Sequence, residues 1–142
     1  AKFRDVVLTE IMPQVEKAYR VSTDRESRAI AGLSMGGTQS LFIGLNAPDR
    51  FAWIGAFSSG GLDENFDRAY PAVNESTNAQ LHLLWIACGK DDRLIEGARR
   101  LSETLSAKGS QHTLRETEGA HSWPVWREHL AEFSPLVFIA AE

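Results

Sequence analysis

The fold of this chain is decided by residues 28–37, which read Arg28-Ala29-Ile30-Ala31-Gly32-Leu33-Ser34-Met35-Gly36-Gly37. A short apolar run leads into the pattern G-x-S-x-G, and the residues that follow favour a helix. A strand that turns sharply into a helix brings two backbones so close that side chains at Gly32, Gly36 and Gly37 are expected to clash. The pattern therefore predicts a strand, a strained turn that points the Ser34 hydroxyl outward, and a helix. A strand-turn-helix unit without any catalytic role is the alternative interpretation.

Catalysis by Ser34 requires two further side chains. A serine hydroxyl is a weak nucleophile near neutral pH, so a histidine must accept its proton and a carboxylate must orient that histidine. In a sheet with such a turn, the acid follows the serine along the chain and the histidine follows the acid. The buried run 81–88 ends in Gly89-Lys90-Asp91-Asp92, and the strand-like stretch 111–117 ends in Glu118-Gly119-Ala120-His121. Both groups thus follow predicted strands in the required order.

Four histidines are candidates for the general base. His82 opens a predicted strand and His112 lies inside one, so we expect both at half-buried or surface positions. His129 lies on a helical run, where we expect it to be solvated. His121 follows a strand on a glycine-flanked loop, where functional residues concentrate, and it is the predicted base.

Asp91 and Asp92 are adjacent on a turn, so only one of them can face His121. Aspartate is also favoured at the start of a helix, where its carboxylate accepts backbone N–H bonds, and a helix is predicted from residue 94. We assign Asp92 as the acid and Asp91 as the residue that caps this helix or closes the loop. From the residues alone the opposite assignment stays open.

Periodicity predicts a single α/β domain over residues 1–142, without repeats or low-complexity tracts. Apolar residues near a 3.6-residue period predict that the first helix packs a face on the sheet, and Pro13 is expected to bend it. Strands are expected at about 28–33, 52–58, 81–88 and 111–117, and helices at about 3–20, 36–46, 94–108 and 123–137.

The segment between the second and third predicted strands is the candidate substrate-binding region. A glycine pair at 60–61 is expected near the rim of the site, and the polar segment 62–80 is the candidate binding loop, with an ordinary surface excursion as the alternative. Its Phe66 and Tyr70 are candidates either to stack on a sugar or phenolic acyl group or to anchor the loop. After His121, Trp126 is expected in the core, and Trp123 is the candidate to line the cleft.

Composition limits the kinds of partner and cofactor that the chain is expected to bind. Its 142 residues carry a formal net charge of −4, which offers no basic surface for nucleic acid. No apolar run approaches the length of about 18 residues that a membrane span needs, and the N-terminus does not have the pattern of a signal peptide. Cys88 is the single cysteine, so no internal disulfide is possible. Metal-ligand spacings are also missing from the sequence, so we expect neither a metal nor a cofactor.

Three motifs together resemble the esterase D family, and within it the feruloyl and acetyl-xylan esterases of carbohydrate esterase family 1. They are residues 31–37 around the serine, 88–95 around the aspartates and 118–126 around the histidine. The resemblance covers essentially the whole chain, which matches only the C-terminal half of a family member. It implies an α/β-hydrolase-like parallel sheet with flanking helices, truncated to about four strands with the N-terminal strands absent. The resemblance also implies that Asp92, and not Asp91, is the carboxylate that orients His121.

The same resemblance implies a serine esterase with Ser34, Asp92 and His121 as its triad and the Met35 N–H as one oxyanion donor. A second donor comes, in the wider fold, from a loop after an earlier strand, which we expect to be absent. Feruloyl or acetyl esters on plant-cell-wall carbohydrate are the implied substrates, and such substrates imply an extracellular location. Thioester hydrolysis, acyl transfer and a non-catalytic remnant or assembly module are the alternatives.

A sheet without its early strands has an exposed edge at the strand that begins near Arg28. An unpaired apolar edge tends to pair with another chain. We therefore expect a fragment or a shortened hydrolase, with a homo-oligomer or a complementing chain covering this edge.

Overall fold

A computed structural model of the chain describes residues 2–59 and 65–139. Within these residues one sheet has four parallel strands in the order β1-β2-β3-β4. The strands are β1 Ala29–Leu33, β2 Trp53–Phe57, β3 Leu83–Gly89 and β4 Thr113–Thr117. All four lie where the sequence predicts them, which confirms the α/β-hydrolase-like fold class. The predicted rim glycines and the first residues of the candidate binding loop, 60–64, lie outside the described residues.

Helices connect the strands, because a parallel pair needs a crossover connection. The three helices predicted at about 36–46, 94–108 and 123–137 are confirmed. The α-helices are α1 Lys2–Val6, α2 Met12–Ala18, α3 Met35–Asn46, α4 Phe66–Ala69, α5 Ile95–Ala107 and α6 Trp123–Phe133. Three 3₁₀ turns lie at Arg25–Ser27, Glu75–Ala79 and Ser134–Leu136.

The strand register aligns the carboxyl ends of all four strands at one edge of the sheet. Leu33 pairs with Phe57, and Phe57 pairs with Ala87. Gly89, two residues further along β3, pairs with Thr117. The residues that follow each strand, which include the candidate serine, aspartates and histidine, are therefore brought to the same edge.

The core lies on both faces of β2 and β3. One face packs against α3 and α5 through a cluster that includes Leu41, Ile54, Ile86 and Leu105. The other face packs against α6, where the rings of Phe57, Trp85 and Phe133 make mutual edge and tilted contacts. The two central strands are buried on both faces, which is the usual environment of a parallel sheet.

Phe66 and Tyr70 belong to the core. Both are buried, Tyr70 at 3% exposure, and their rings contact each other at 5.0 Å between centroids. Tyr70 also contacts the ring of Phe42 on α3. The prediction that these two rings stack on a substrate is therefore corrected: they anchor their segment to the core, since a buried ring has no free face to offer.

The N-terminal helical segment differs from its prediction in two respects. A π-helical turn, Val7–Ile11, separates α1 from α2 and ends with a Met12 N–H to Val7 C=O bond. Pro13 follows directly, and since a proline lacks an N–H and crowds the preceding turn, the wider turn accommodates it. The expected apolar face is not packed on the sheet, because no residue of α1 or α2 is buried.

This exposed apolar face, here called the N-terminal stripe, is defined by residues with exposed fractions between 37% and 68%: Phe3, Val6, Ile11, Val15 and Tyr19. An ion pair between Glu16 and Arg28 joins α2 to the start of β1. β1 itself is the edge strand next to this segment in the described sheet. Among the described residues, no helix is long and apolar enough to cross a bilayer.

Candidate active site

Ser34 lies in a strained turn between β1 and α3. Its backbone has φ 53° and ψ −121°, a region that side-chain-bearing residues rarely occupy. The turn is held by a bond of 2.8 Å from the Ser34 N–H to the Phe57 C=O at the end of β2. Because α3 begins at the next residue, the serine is fixed at the carboxyl end of the sheet.

Two of the three glycines in this turn are required by close contacts. A Cβ on Gly32 would lie 2.4 Å from the carbonyl group of Gly36, and a Cβ on Gly37 would lie 2.9 Å from the Gly32 oxygen and from the Ser59 Cβ. The expected clash at Gly36 is wrong, since a Cβ there meets nothing within 4 Å. The first turn of α3 points this position away from β1.

His121 hydrogen-bonds both predicted partners. Its Nδ1 lies 2.8 Å from Asp92 Oδ2, and its Nε2 lies 3.1 Å from Ser34 Oγ. An ionised carboxylate only accepts hydrogen bonds, so Nδ1 carries the proton and donates it, and in the neutral ring Nε2 then accepts from the serine hydroxyl. This arrangement can move a proton from the alcohol to the imidazole.

Asp92 and Asp91 have different environments. Asp92 is buried at 2% exposure, and its second oxygen, Oδ1, accepts the Leu94 N–H at 2.9 Å before α5. Asp92 therefore both faces His121 and caps the turn, so of the two roles predicted for Asp91, capping or loop closure, the capping role belongs to Asp92. The exposed Asp91 instead closes the loop through its backbone, with its N–H bonded to the Gly119 C=O at 3.0 Å.

Burial alone would raise the pKa of the Asp92 carboxyl. Hydrogen bonds from the Leu94 N–H, the Ser58 hydroxyl and His121 outweigh that effect, and the pKa of Asp92 is held below its usual value of 3.8. Asp92 is consequently ionised at neutral pH and able to stabilise a protonated His121.

The loops that carry the acid and the histidine are bonded to each other. The Lys90 N–H donates to the Thr117 C=O at 2.8 Å, and the Lys90 and Glu118 side chains are paired. Gly89 is required here, because a Cβ on it would lie 2.1 Å from the Gly119 oxygen. This close approach sets the position of His121 relative to Asp92.

The other three histidines lie away from Ser34. His82 is exposed and pairs with Glu26, and His112 precedes β4 and bonds Ser102 Oγ at 2.7 Å. The prediction that His129 is solvated is wrong, because its ring is 0% exposed and packs against Phe57 and Trp85. The helical run was identified correctly, but His129 is on the side of α6 that faces the sheet.

Ser58, which belongs to none of the sequence motifs, lies immediately after β2 beside the candidate triad. Its hydroxyl is 0% exposed and accepts the Trp126 Nε1–H at 3.0 Å. The ring of Trp126 in turn meets the His121 ring edge-on, with centroids 4.9 Å apart. A polar residue at the carboxyl end of an entirely apolar strand is the sequence signal that points to it.

Two further candidate positions flank the triad. Met35 is the first residue of α3, where a backbone N–H has no acceptor within the helix and lies at the positive end of the helix dipole. Trp123 is 68% exposed, and its ring meets that of Trp126 at 5.2 Å. In the part of the chain that the structure describes, no group of His, Cys, Asp and Glu could hold a metal ion.

Fold and serine turn together place the chain among the α/β-hydrolase-like proteins. More narrowly, it belongs to the esterase family described as "Putative esterase", whose model matches residues 1–136.

Several proteins similar to the chain over most of its length are named as esterases. The chain is 29% identical to an endo-1,4-beta-xylanase/feruloyl esterase of Xylanibacter ruminicola, over 96% of this chain and 18% of that protein. It is 26% identical to an acetyl esterase of Caldicellulosiruptor saccharolyticus, over 91% of this chain and 61% of that protein. A ferulic acid esterase of Anaeromyces mucronatus, solved in complex with ferulic acid, superposes with a TM-score of 0.82 at 25% identity. The superposition covers 96% of this chain and 54% of that structure, so the chain spans less than two thirds of each of these relatives.

Proposed function

We propose that this chain hydrolyses carboxylic esters through Ser34 as nucleophile, His121 as general base and Asp92 as the acid that orients the base. The observation that carries the proposal is the pair of bonds made by one imidazole, to Ser34 Oγ at 3.1 Å and to Asp92 Oδ2 at 2.8 Å. Membership in an esterase family supports the same reaction class.

The first half of the reaction transfers the acyl group to the enzyme. Ser34 Oγ bonds to the ester carbonyl carbon while its proton passes to His121 Nε2, and Asp92 stabilises the imidazolium. The carbonyl electron pair moves onto its oxygen, which accepts a hydrogen bond from the Met35 N–H. When the tetrahedral intermediate collapses, the alcohol leaves with the proton from Nε2 and the acyl group stays on Ser34.

The second half repeats these steps with water. His121 Nε2 accepts a proton from the water as its oxygen bonds to the acyl carbon. Collapse of this second intermediate breaks the bond to Ser34 Oγ, which regains the proton from Nε2. The carboxylic acid is released and the free enzyme is restored.

Feruloyl or acetyl esters on plant-cell-wall carbohydrate are the proposed substrates. The names of the Xylanibacter and Caldicellulosiruptor relatives support these acyl groups, and so does the ferulic acid bound to the Anaeromyces enzyme. The exposed ring of Trp123, held against Trp126 beside His121, is the proposed contact for a phenolic acyl group or a sugar. With such substrates the protein would act outside the cell.

We also propose that a second copy or a complementing chain covers the free edge of β1 and the N-terminal stripe. The exposure of five apolar side chains next to an edge strand supports this, because such surfaces favour association. Nucleic acid is not a proposed partner, given the net charge of −4.

A fluorophosphonate probe tests the proposal directly, since it reacts covalently with an activated serine. The native chain is expected to be labelled and to hydrolyse p-nitrophenyl acetate and methyl ferulate, and Ser34→Ala is expected to lose both properties. Ser110→Ala is the matched control, because Ser110 is also buried but precedes β4 at the opposite end of the sheet. A folded native chain that is neither labelled nor active would favour the non-catalytic module.

A further inference from the structure

Trp126 on α6 lies between the proposed base and the core. Its ring meets the His121 ring at 4.9 Å between centroids, with the two planes at 88° to each other. The indole is half-buried and packs against the core on the α6 face of the sheet, which includes Phe57 and Phe133. It therefore gives the imidazole a packing surface that is separate from its two hydrogen bonds.

The indole is held in place through its nitrogen. Its Nε1–H donates to the Ser58 hydroxyl oxygen at 3.0 Å. Ser58 is 0% exposed, and its backbone N–H bonds the Ala87 C=O at 2.7 Å, which extends the pairing of β2 and β3 by one residue. An indole nitrogen can only donate, and an acceptor buried at the sheet edge is not replaced by water. This bond therefore fixes the orientation of the ring.

A second hydrogen bond ties α6 to the strand that precedes His121. The Thr117 hydroxyl oxygen, at the end of β4, lies 2.8 Å from His129 Nε2, and both residues are buried. His129 follows Trp126 by three residues on α6, so this bond lies within one helical turn of the indole. The two ends of the segment that carries His121 are thus joined, and the indole keeps its position relative to that segment.

The proposed reaction itself removes one of the two hydrogen bonds that orient His121. Without substrate, its Nε2 lies 3.1 Å from Ser34 Oγ and its Nδ1 lies 2.8 Å from Asp92 Oδ2. In the acyl-enzyme, Ser34 Oγ carries the acyl group and has no proton to donate. The Asp92 bond then remains without the Ser34 bond, at the step in which Nε2 must accept a proton from water.

We infer that Trp126 is a positioning residue for His121. Its indole, fixed through Ser58, keeps Nε2 directed toward the acyl group while the hydrogen bond to Ser34 is absent. The inference rests on the proposed function, in which His121 is the base in both halves of the reaction. A displacement of about 1 Å can lower a rate about a hundredfold. Loss of the indole should therefore slow hydrolysis of the acyl-enzyme more than its formation.

Single turnovers of p-nitrophenyl acetate, with the protein in excess, separate the two steps. Release of p-nitrophenolate measures formation of the acetyl-enzyme, and intact-mass spectrometry of acid-quenched samples measures its loss. Trp126→Leu, which removes the ring, is expected to slow the loss about ten- to a hundredfold and the formation by clearly less. Loss is a first-order process of molecules that have already reacted, so its rate constant does not depend on the folded fraction of the sample.

Two further variants control this comparison. Trp126→Phe keeps a ring beside His121 and removes the N–H donor, and it is expected to recover most of the native rate of loss. Trp53→Leu is the matched control at the amino end of the sheet. The Trp53 Nε1–H also donates, to the Glu26 C=O at 2.8 Å, and the ring also contacts a histidine, His82, at 4.8 Å. Trp53→Leu should lower stability in urea and leave the rate of loss unchanged.

Equal slowing of the two steps in Trp126→Leu, or an unchanged rate of loss, would overturn the inference, and so would a Trp126→Phe variant that loses acetate no faster than Trp126→Leu. Trp126→Met, whose flexible side chain fills more of the space, takes the place of Trp126→Leu if that variant does not fold. A native protein that forms no acetyl-enzyme would instead overturn the proposed function, and the inference with it.

Discussion

The carboxyl end of the sheet and the N-terminal helical segment place their side chains in opposite environments. At the strand ends, Asp92 and Ser58 are buried at 2% exposure or less, and the side chain of each is hydrogen-bonded. On the N-terminal stripe, apolar side chains such as Val15 and Tyr19 are exposed to solvent. Burial of polar groups is unfavourable unless partners are supplied, and exposure of an apolar stripe is unfavourable unless another surface covers it.

This difference separates the proposed catalytic residues, which bond one another within the chain, from the surface that we propose a partner covers. The proposed proton relay uses residues that follow β1, β3 and β4, and both of its hydrogen bonds join described residues of this chain. The stripe and the β1 edge have no covering surface among the described residues.

The largest effect is expected from the acid at the strand ends. Asp92→Asn should lower kcat/KM for p-nitrophenyl acetate by about 10³- to 10⁴-fold, because an amide cannot hold the Nδ1–H form of His121 as a carboxylate does. His121→Ala should lower kcat/KM by several orders of magnitude, because it removes the proposed general base itself.

Asp91→Asn is the matched control for this prediction. Asp91 is exposed and contributes its backbone N–H, which the substitution keeps, so its kcat/KM should stay within about twofold of native. An essential Asp91 together with a dispensable Asp92 would reverse the assignment of the acid.

The second prediction concerns the N-terminal stripe. Sedimentation velocity of the native chain should give the mass of at least two chains, and Val15→Glu should shift the population toward one chain by raising the dissociation constant about tenfold or more. Gln14→Glu adds the same charge at the neighbouring exposed polar position and should leave the mass unchanged. A native chain that sediments as one chain at all concentrations would contradict association through this surface.

The smallest effect is a pH dependence of stability from His129. Burial lowers the pKa of this ring below its ordinary value of 6.5, although Glu128 and Glu132 on α6 and Asp92 beyond it oppose the shift and Arg115 adds to it. Below pH 6.5 the unfolded chain therefore binds a proton that the folded chain does not. Stability should fall with decreasing pH from about 6.5 to the folded pKa, by at most about 1.4 kcal/mol per pH unit.

Urea unfolding between pH 5 and pH 8 measures this dependence, and His129→Phe should flatten it. The lowered pKa of Asp92 does not interfere, because its contribution is lost only as pH falls below about 3.8. Parallel stability curves for the two proteins would show that His129 is not the source.

The elements that a local pattern encodes could be predicted from the sequence. Each strand is an apolar run of the right length, and the elbow glycines and the order of serine, acid and histidine depend only on residue types and spacing. The sequence therefore identified the four strands and the three side chains that the structure brings within hydrogen-bonding distance.

Other features depend on tertiary packing, which the spacing of residues along the sequence does not reveal. His129 is polar and lies on an amphipathic helix, yet the rings of Phe57 and Trp85 enclose it. The N-terminal stripe has the period of a buried face, but within residues 2–59 and 65–139 no surface buries it. Ser58 is hydrogen-bonded by Trp126, which lies 68 residues further along the chain, so only the folded structure could reveal this contact.

The bonds between the loops after β3 and β4 have a mechanical consequence. Backbone bonds from Lys90 to Thr117 and from Asp91 to Gly119 join the loops that carry Asp92 and His121 directly to each other. Ser34 is held separately, through Phe57 on β2. The spacing between Asp92 and His121 is therefore set by direct bonds between their loops, whereas the spacing between Ser34 and His121 depends on the pairing of β1 with β2 and of β2 with β3.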